Sequence, residues 1–159
     1  MHFATAHSPK KPTLLSVTAA SLYLALFFTV SSVLQLFAFE AYPDVIESYD
    51  IPLVSDASLF IAAVIVSLEV LAIPFLLWIK LSPPMRIISF LSGWAVLLYW
   101  LSIGLWQSIA DVTIGNAGLF GAKILLPQGW WLVSYSAVLL ILMAYVSWDS
   151  HMHGFRKKD

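Results

Sequence analysis

The chain has 159 residues, 60% of them hydrophobic and 11% charged, with a mean hydropathy of +0.88 and a net charge of −1. A soluble domain carries about 25% charged residues, so a deficit this deep excludes an ordinary soluble globule and points to a bilayer protein. The lack of cysteine excludes a disulfide framework, Cys-ligated zinc, iron–sulfur clusters and any thiol relay, and no basic face alternates with exposed aromatics as nucleic-acid binding requires.

In chain order, a tail over residues 1–13 carries Lys10 and Lys11 and leads into an uncharged run. A membrane helix needs roughly 20 mostly apolar residues, and residues 15–37 supply a first span. The run is longer than the apolar core of a signal peptide and no small-x-small cleavage site follows it, so it reads as a retained helix. Ser21, Ala25, Phe28, Ser32 and Gln35 form a small and polar stripe along it, read as a helix-packing face. The outer loop that follows holds Glu40, Asp44, Glu47, Asp50 and Asp56. Within it Tyr42, Val45, Ile46 and Tyr49 recur at helical spacing after a Pro43 suited to a first turn. Residues 42–49 are therefore expected as a short amphipathic helix lying on the outer interface, with an extended loop as the plainer reading.

A second span covers residues 58–79, with Glu69 its only charge and Pro74 its only helix breaker. The segment KLSPPMR over 80–86 reads as a tight turn, because Pro83 and Pro84 cannot continue a helix. The third span, 87–107, is uncharged and aromatic-rich (Trp94, Tyr99, Trp100, Trp106); such rings could flank a quinone or a lipid tail, and more commonly serve packing. A glycine-rich turn from Gly115 to Gly121 precedes the fourth span, 129–148, which has Trp130, Trp131 and Trp148 at its ends. A basic tail, 149–159, closes the chain. The expected fold is all-α: an antiparallel four-transmembrane-helix bundle with a small extracytoplasmic loop cap.

Lys10, Lys11, Lys80, Arg86, Arg156, Lys157 and Lys158 fall on one side of this layout, and Lys123 alone on the other. Basic residues mark the cytoplasmic side. The expected topology places both termini in the cytoplasm, as a multi-pass protein of a bacterial cytoplasmic membrane.

Glu69 lies about ten residues, or ~15 Å, from either end of its span. A charge at that depth costs a few kcal/mol, and such residues face the bundle interior and mark function or a packing contact. A neutral carboxyl donating a hydrogen bond is expected, with Tyr99, Tyr135 or Ser136 as partner by depth matching along antiparallel helices. His2, His7, His151 and His153 sit in the tails, away from any haem position between spans. No nucleophile–base pair, phosphate loop or metal motif occurs in the sequence, so no catalytic residue and no metal are expected.

Three segments resemble the MauE/DoxX-like family of small four-helix bacterial membrane proteins. They are VSSVLQLFAFEAYPDVIESYDIP at the end of the first span, SLEVLAIPFLLW around Glu69, and NAGLFG at residues 116–121, where Asn116, Gly118, Phe120 and Gly121 keep the pattern. Ala117 and Leu119 stand where MauE-like relatives carry cysteines, and Gln35 where a lysine is common, so a thiol–disulfide role does not transfer. The resemblance implies a non-catalytic accessory or assembly protein of an envelope redox or enzyme-maturation system of methylamine-utilisation type. Its expected partners are the lipid bilayer and another membrane or periplasmic protein, with no nucleic acid and no cofactor. The alternative is a membrane subunit of a quinone-linked, DoxX-like oxidoreductase, with Glu69 in a quinone or lipid pocket. A transporter is disfavoured, since one buried acid makes a poor polar pathway and the halves show no inverted repeat.

Overall fold

A computed structural model describes residues 14–51, 54–110, 116–127 and 129–155, and the side chains of these except 14–16 and 149–155. Lys10, Lys11, Arg156, Lys157, Lys158, Gly115 and the histidine side chains lie outside the described residues. Among the described residues the chain is all-helical: α1 (Leu14–Phe37), a 3-10 turn (Phe39–Ala41), α2 (Tyr42–Glu47), α3 (Ser58–Leu76), α4 (Pro83–Ile109) and α5 (Trp130–Phe155). Helices α1, α3, α4 and α5 are each long and apolar enough to cross a membrane. They close into a four-cornered bundle in which α1 packs on α3 and α5, and α4 packs on the same two. The protein is a multi-pass membrane protein. Large apolar side chains such as Leu26, Phe60, Ile109, Ile141 and Trp148 cover its exterior, as contact with hydrocarbon requires.

The boundaries differ from expectation at two prolines' positions and at one end. Pro83 and Pro84 open α4 rather than breaking the chain before it, since a helix's first N–H groups have no intrahelical partner and proline loses nothing there. Pro74 sits in the last turns of α3, where its missing N–H breaks the helical ladder at the Val70 carbonyl. Ser89 of α4 inserts its hydroxyl into the gap, accepting from Phe75 N at 3.0 Å and donating to Leu71 O at 2.6 Å. That hydroxyl bridges the N–H of residue 75 and the carbonyl of residue 71 beside Pro74, one of the ways a neighbouring helix supports a proline in a membrane span. Ser21 of α1 donates to the Leu76 carbonyl at the end of the same helix. Helix α5 continues to Phe155, so the backbone of 149–155, expected as tail, is helical.

A helix does form within 42–49, α2 over Tyr42–Glu47 followed by a turn, and its apolar face packs into the bundle instead of facing lipid. Tyr42, Ile46 and Tyr49 are completely buried, and α2 packs on α3. The apolar face that suggested a lipid-facing helix is turned into the mouth of the bundle. The acids stay outside: Glu40, Asp44, Glu47, Asp50 and Asp56 are all exposed.

Candidate functional site

Glu69 is buried on the inner face of α3, and two side chains of α1 hold it. Ser31 Oγ lies 3.0 Å and Gln35 Nε2 3.1 Å from Glu69 Oε1. The same two reach the loop between α4 and α5: the Leu119 carbonyl accepts from Ser31 Oγ at 2.8 Å and from Gln35 Nε2 at 3.0 Å. Gln35 also donates to Ser31 at 3.0 Å. One pair of polar residues therefore ties the intramembrane acid to the cap. The hydroxyl and the amide own three protons for these five contacts, and a proton on Glu69 would make a fourth.

The expected partners of Glu69 are corrected. Tyr99 OH and Ser136 Oγ are buried with no hydrogen-bond partner among the described residues, while Tyr135 OH lies 3.2 Å from Tyr23 OH, with its ring stacked on Trp131. Depth matching by Cα position failed because helical side chains lean toward their own N-terminus. On antiparallel α1 and α3 this tips Glu69 toward the cap and Gln35 away from it, so residues of unequal depth meet. The α1 stripe does face the bundle, and it does more than pack: Gln35 is its last member. Ser31 was missed, although its place one turn before Gln35 puts it on the same face.

The loop that delivers Leu119 is built around Asn116. Its Oδ1 accepts from Gly118 N at 3.0 Å and its Nδ2 donates to Gly121 O at 2.9 Å, so one amide spans the turn. Gly118 and Gly121 have φ of 76° and 75°, a region strained for residues with a Cβ. A Cβ on Gly118 would lie 2.2 Å from Tyr49 Oη, and one on Gly121 3.1 Å from the Cα of Gln35. The loop thus presses against both α2 and α1. Tyr49 Oη donates to Ala117 O at 2.8 Å, joining the α1–α3 connection to the α4–α5 loop. Phe120 packs edge-on to Phe27, and Lys123 lies 4.8 Å from the centre of the Phe37 ring. Ala117 and Leu119 are fully enclosed between these elements.

Several polar atoms around Glu69 have no hydrogen-bond partner among the described residues: its own Oε2, Gln35 Oε1, Tyr42 OH and, next to Tyr42, Tyr99 OH; the Trp100 indole N–H faces Glu69 from beyond ordinary hydrogen-bond distance. Burial pushes the Tyr42 phenol well above its ordinary range, with Tyr49, Glu69 and Tyr99 adding to it; burial, then Tyr99, does the same to Tyr49. Both phenols stay protonated and able to donate at any ordinary pH. No cluster of three or more His, Asp or Glu capable of holding a metal occurs among the described residues. In comparisons with known proteins, no family model, no curated protein and no solved structure matches the chain.

Proposed function

We propose that this chain is a non-catalytic accessory or assembly protein of an envelope redox or enzyme-maturation system, binding a membrane or extracytoplasmic partner through its cap. The observation that carries the reading is the continuity of the network from Tyr49 and Ala117, through Leu119, to Ser31, Gln35 and Glu69. A surface already fixed before binding loses less conformational freedom on docking, and this cap is fixed from below. Its outward face offers exposed carboxylates, which favours a partner with a basic face. The redox and maturation context, of methylamine-utilisation type, rests on the MauE/DoxX-like segments. The reading places the protein in a bacterial cytoplasmic membrane with both termini inside, supported by the distribution of lysine and arginine.

A native pull-down from host membranes tests the docking role. Asp44→Lys with Glu47→Lys should lose the partner while melting as the native chain does; a partner retained at full yield defeats it. Topology is tested by a cysteine at exposed Ser48 in a chain that has no other. Labelling only from the cytoplasmic side defeats the orientation.

A second reading has its own support. Tyr42 OH, beside Glu69 and Tyr99, and Tyr99 OH have no hydrogen-bond partner among the described residues, and a free phenol is the type of group that binds a quinone's carbonyl oxygens. Under this reading the chain is a membrane subunit of a quinone-linked oxidoreductase. Quinone that co-purifies with the native chain and is lost from Tyr42→Phe would favour it over the first; quinone absent from both removes it.

A further inference from the structure

The end of the bundle opposite the cap carries a feature that the docking role does not use. Helix α3 stops at Leu76 and the chain reverses through Trp78, which is held at φ 56°. Ile79 N donates to Pro74 O at 3.1 Å and Trp78 N to Phe75 O at 3.2 Å. This pair of bonds is a helix stop that normally uses glycine at the left-handed position, because a side chain is strained there. Strain of this kind collects at ligand-binding sites. Here it aims a half-exposed tryptophan at the rim of a cavity of about 280 Å³, lined by Phe75, Trp78, Ile79, Lys80, Leu81 and Arg86.

The cavity joins two cations to an apolar wall. Lys80 and Arg86 are exposed, and every carboxylate whose side chain is described either lies in the cap or is Glu69, so no described acid neutralises them. The cavity sits where two spans end, at the depth of lipid headgroups. Below its mouth Ile87, Ile88 and Leu91 are exposed along α4 and offer a track for an acyl chain.

The geometry points to a binding site for the phosphate headgroup of an anionic phospholipid, with Lys80 and Arg86 on the phosphate and Trp78 and Ile79 against the glycerol and first acyl carbons. A guanidinium and an ammonium suit a phosphodiester, and basic pockets at span ends bind such headgroups. The volume falls just under the ~300–1,000 Å³ of drug-sized clefts, in keeping with one headgroup. A soluble phosphate compound could use the two charges but would gain nothing from the apolar wall.

The test uses the full chain, delipidated in detergent and titrated with phosphatidylglycerol or phosphatidylcholine of the same chain length, read by native mass spectrometry. The native chain should retain one phosphatidylglycerol and prefer it over phosphatidylcholine. Lys80→Gln and Arg86→Gln should each weaken retention about fivefold, and Lys123→Gln, which removes a charge at the other end, should leave it unchanged. Equal retention of the two lipids overturns the proposal, as does full preference in the Lys80→Gln/Arg86→Gln chain or an equal loss in Lys123→Gln. Displacement of the lipid by millimolar inorganic phosphate would also overturn it, and would assign the cavity to a soluble phosphate ligand.

Discussion

The two ends of the bundle meet the bilayer boundary by different means. At the capped end, chain is inserted between the helix ends. Helix α2 and the 116–126 loop bring Tyr42, Ile46, Tyr49, Ala117 and Leu119 into the core; there Tyr49 bonds Ala117, and the Leu119 carbonyl accepts from α1. At the other end only residues 77–82 join α3 to α4. Backbone groups left open there are met singly, by Ser89 and Ser21, and a cavity beside Lys80 and Arg86 stays open to the outside. Polar groups at hydrocarbon depth need internal partners, whereas those at headgroup level can use water and lipid. The capped end should therefore depend on its own hydrogen bonds, and the turn end on what surrounds it.

The largest effect should come from filling the cap's tightest point. Gly118→Ala places a Cβ at positive φ, 2.2 Å from a Tyr49 oxygen that is itself bonded to Ala117. Backbone strain, overpacking and the stranded carbonyl together should cost about 3 kcal/mol, measured by unfolding in detergent. A loss below about 1 kcal/mol would mean the cap is a loose cover, and the contrast between the ends would fail.

Next in size is the acid beneath the cap. Glu69→Leu removes an acceptor from Ser31 and Gln35 and should cost about 1–2 kcal/mol, while Glu69→Gln, which still accepts and donates, should cost less than about 1. If Glu69→Gln keeps its stability but loses the co-purifying partner or quinone, the acid acts in function beyond packing. A leucine variant more stable than the native chain would show that the network is not what holds the cap.

The spans were legible because length and the absence of charge decide them: buried helices of soluble proteins rarely run as long as 87–107 without a charge. The tryptophans at the ends of 129–148 were legible as interface anchors, and the helix within 42–49 by its periodicity. Which way α2 faces was not, since an apolar stripe fits lipid and protein core equally well. The partners of Glu69 were hidden by geometry. Sequence position fixes Cα depth, yet the lean of each side chain along its helix decides which atoms meet, and the Leu119 carbonyl has no sequence signature. Ser89 was likewise invisible, because its role exists only where it faces Pro74 of another helix.

Tyr49 offers a smaller and pH-dependent test of the same end. Tyr49→Phe keeps the packing but leaves Ala117 O without its donor, for about 1 kcal/mol. Burial raises the folded-state pKa of Tyr49, and of Tyr42, above the unfolded value near 10. Only the unfolded phenol then ionises as pH climbs past 10, so its contribution is complete below pH 10 and is lost above it. Each tyrosine adds roughly 1.4 kcal/mol of destabilisation per pH unit in that window. Tyr49→Phe should reduce the slope by one such share and leave pH 7–9 flat. An unchanged slope would show that Tyr49 is reached by solvent, and that the cap is open.

The smallest expected change tests the turn end, and its sign depends on the surroundings. Trp78 at φ 56° stores about 1–2 kcal/mol that glycine would not, and glycine's greater freedom in the unfolded chain returns up to about 1 kcal/mol of that. Trp78→Gly should therefore stabilise the protein by about 0.5 kcal/mol in detergent free of phospholipid. In phosphatidylglycerol the native chain gains from a ligand that binds only the folded state, by RT ln(1 + [L]/Kd). The variant, lacking the indole at the cavity rim, gains less, so the order of stabilities should reverse. A variant less stable in both media would mean that the tryptophan is held by packing against the bundle. One more stable in both would mean that its strained conformation serves no lipid, and the turn end would then lose its dependence on the membrane around it.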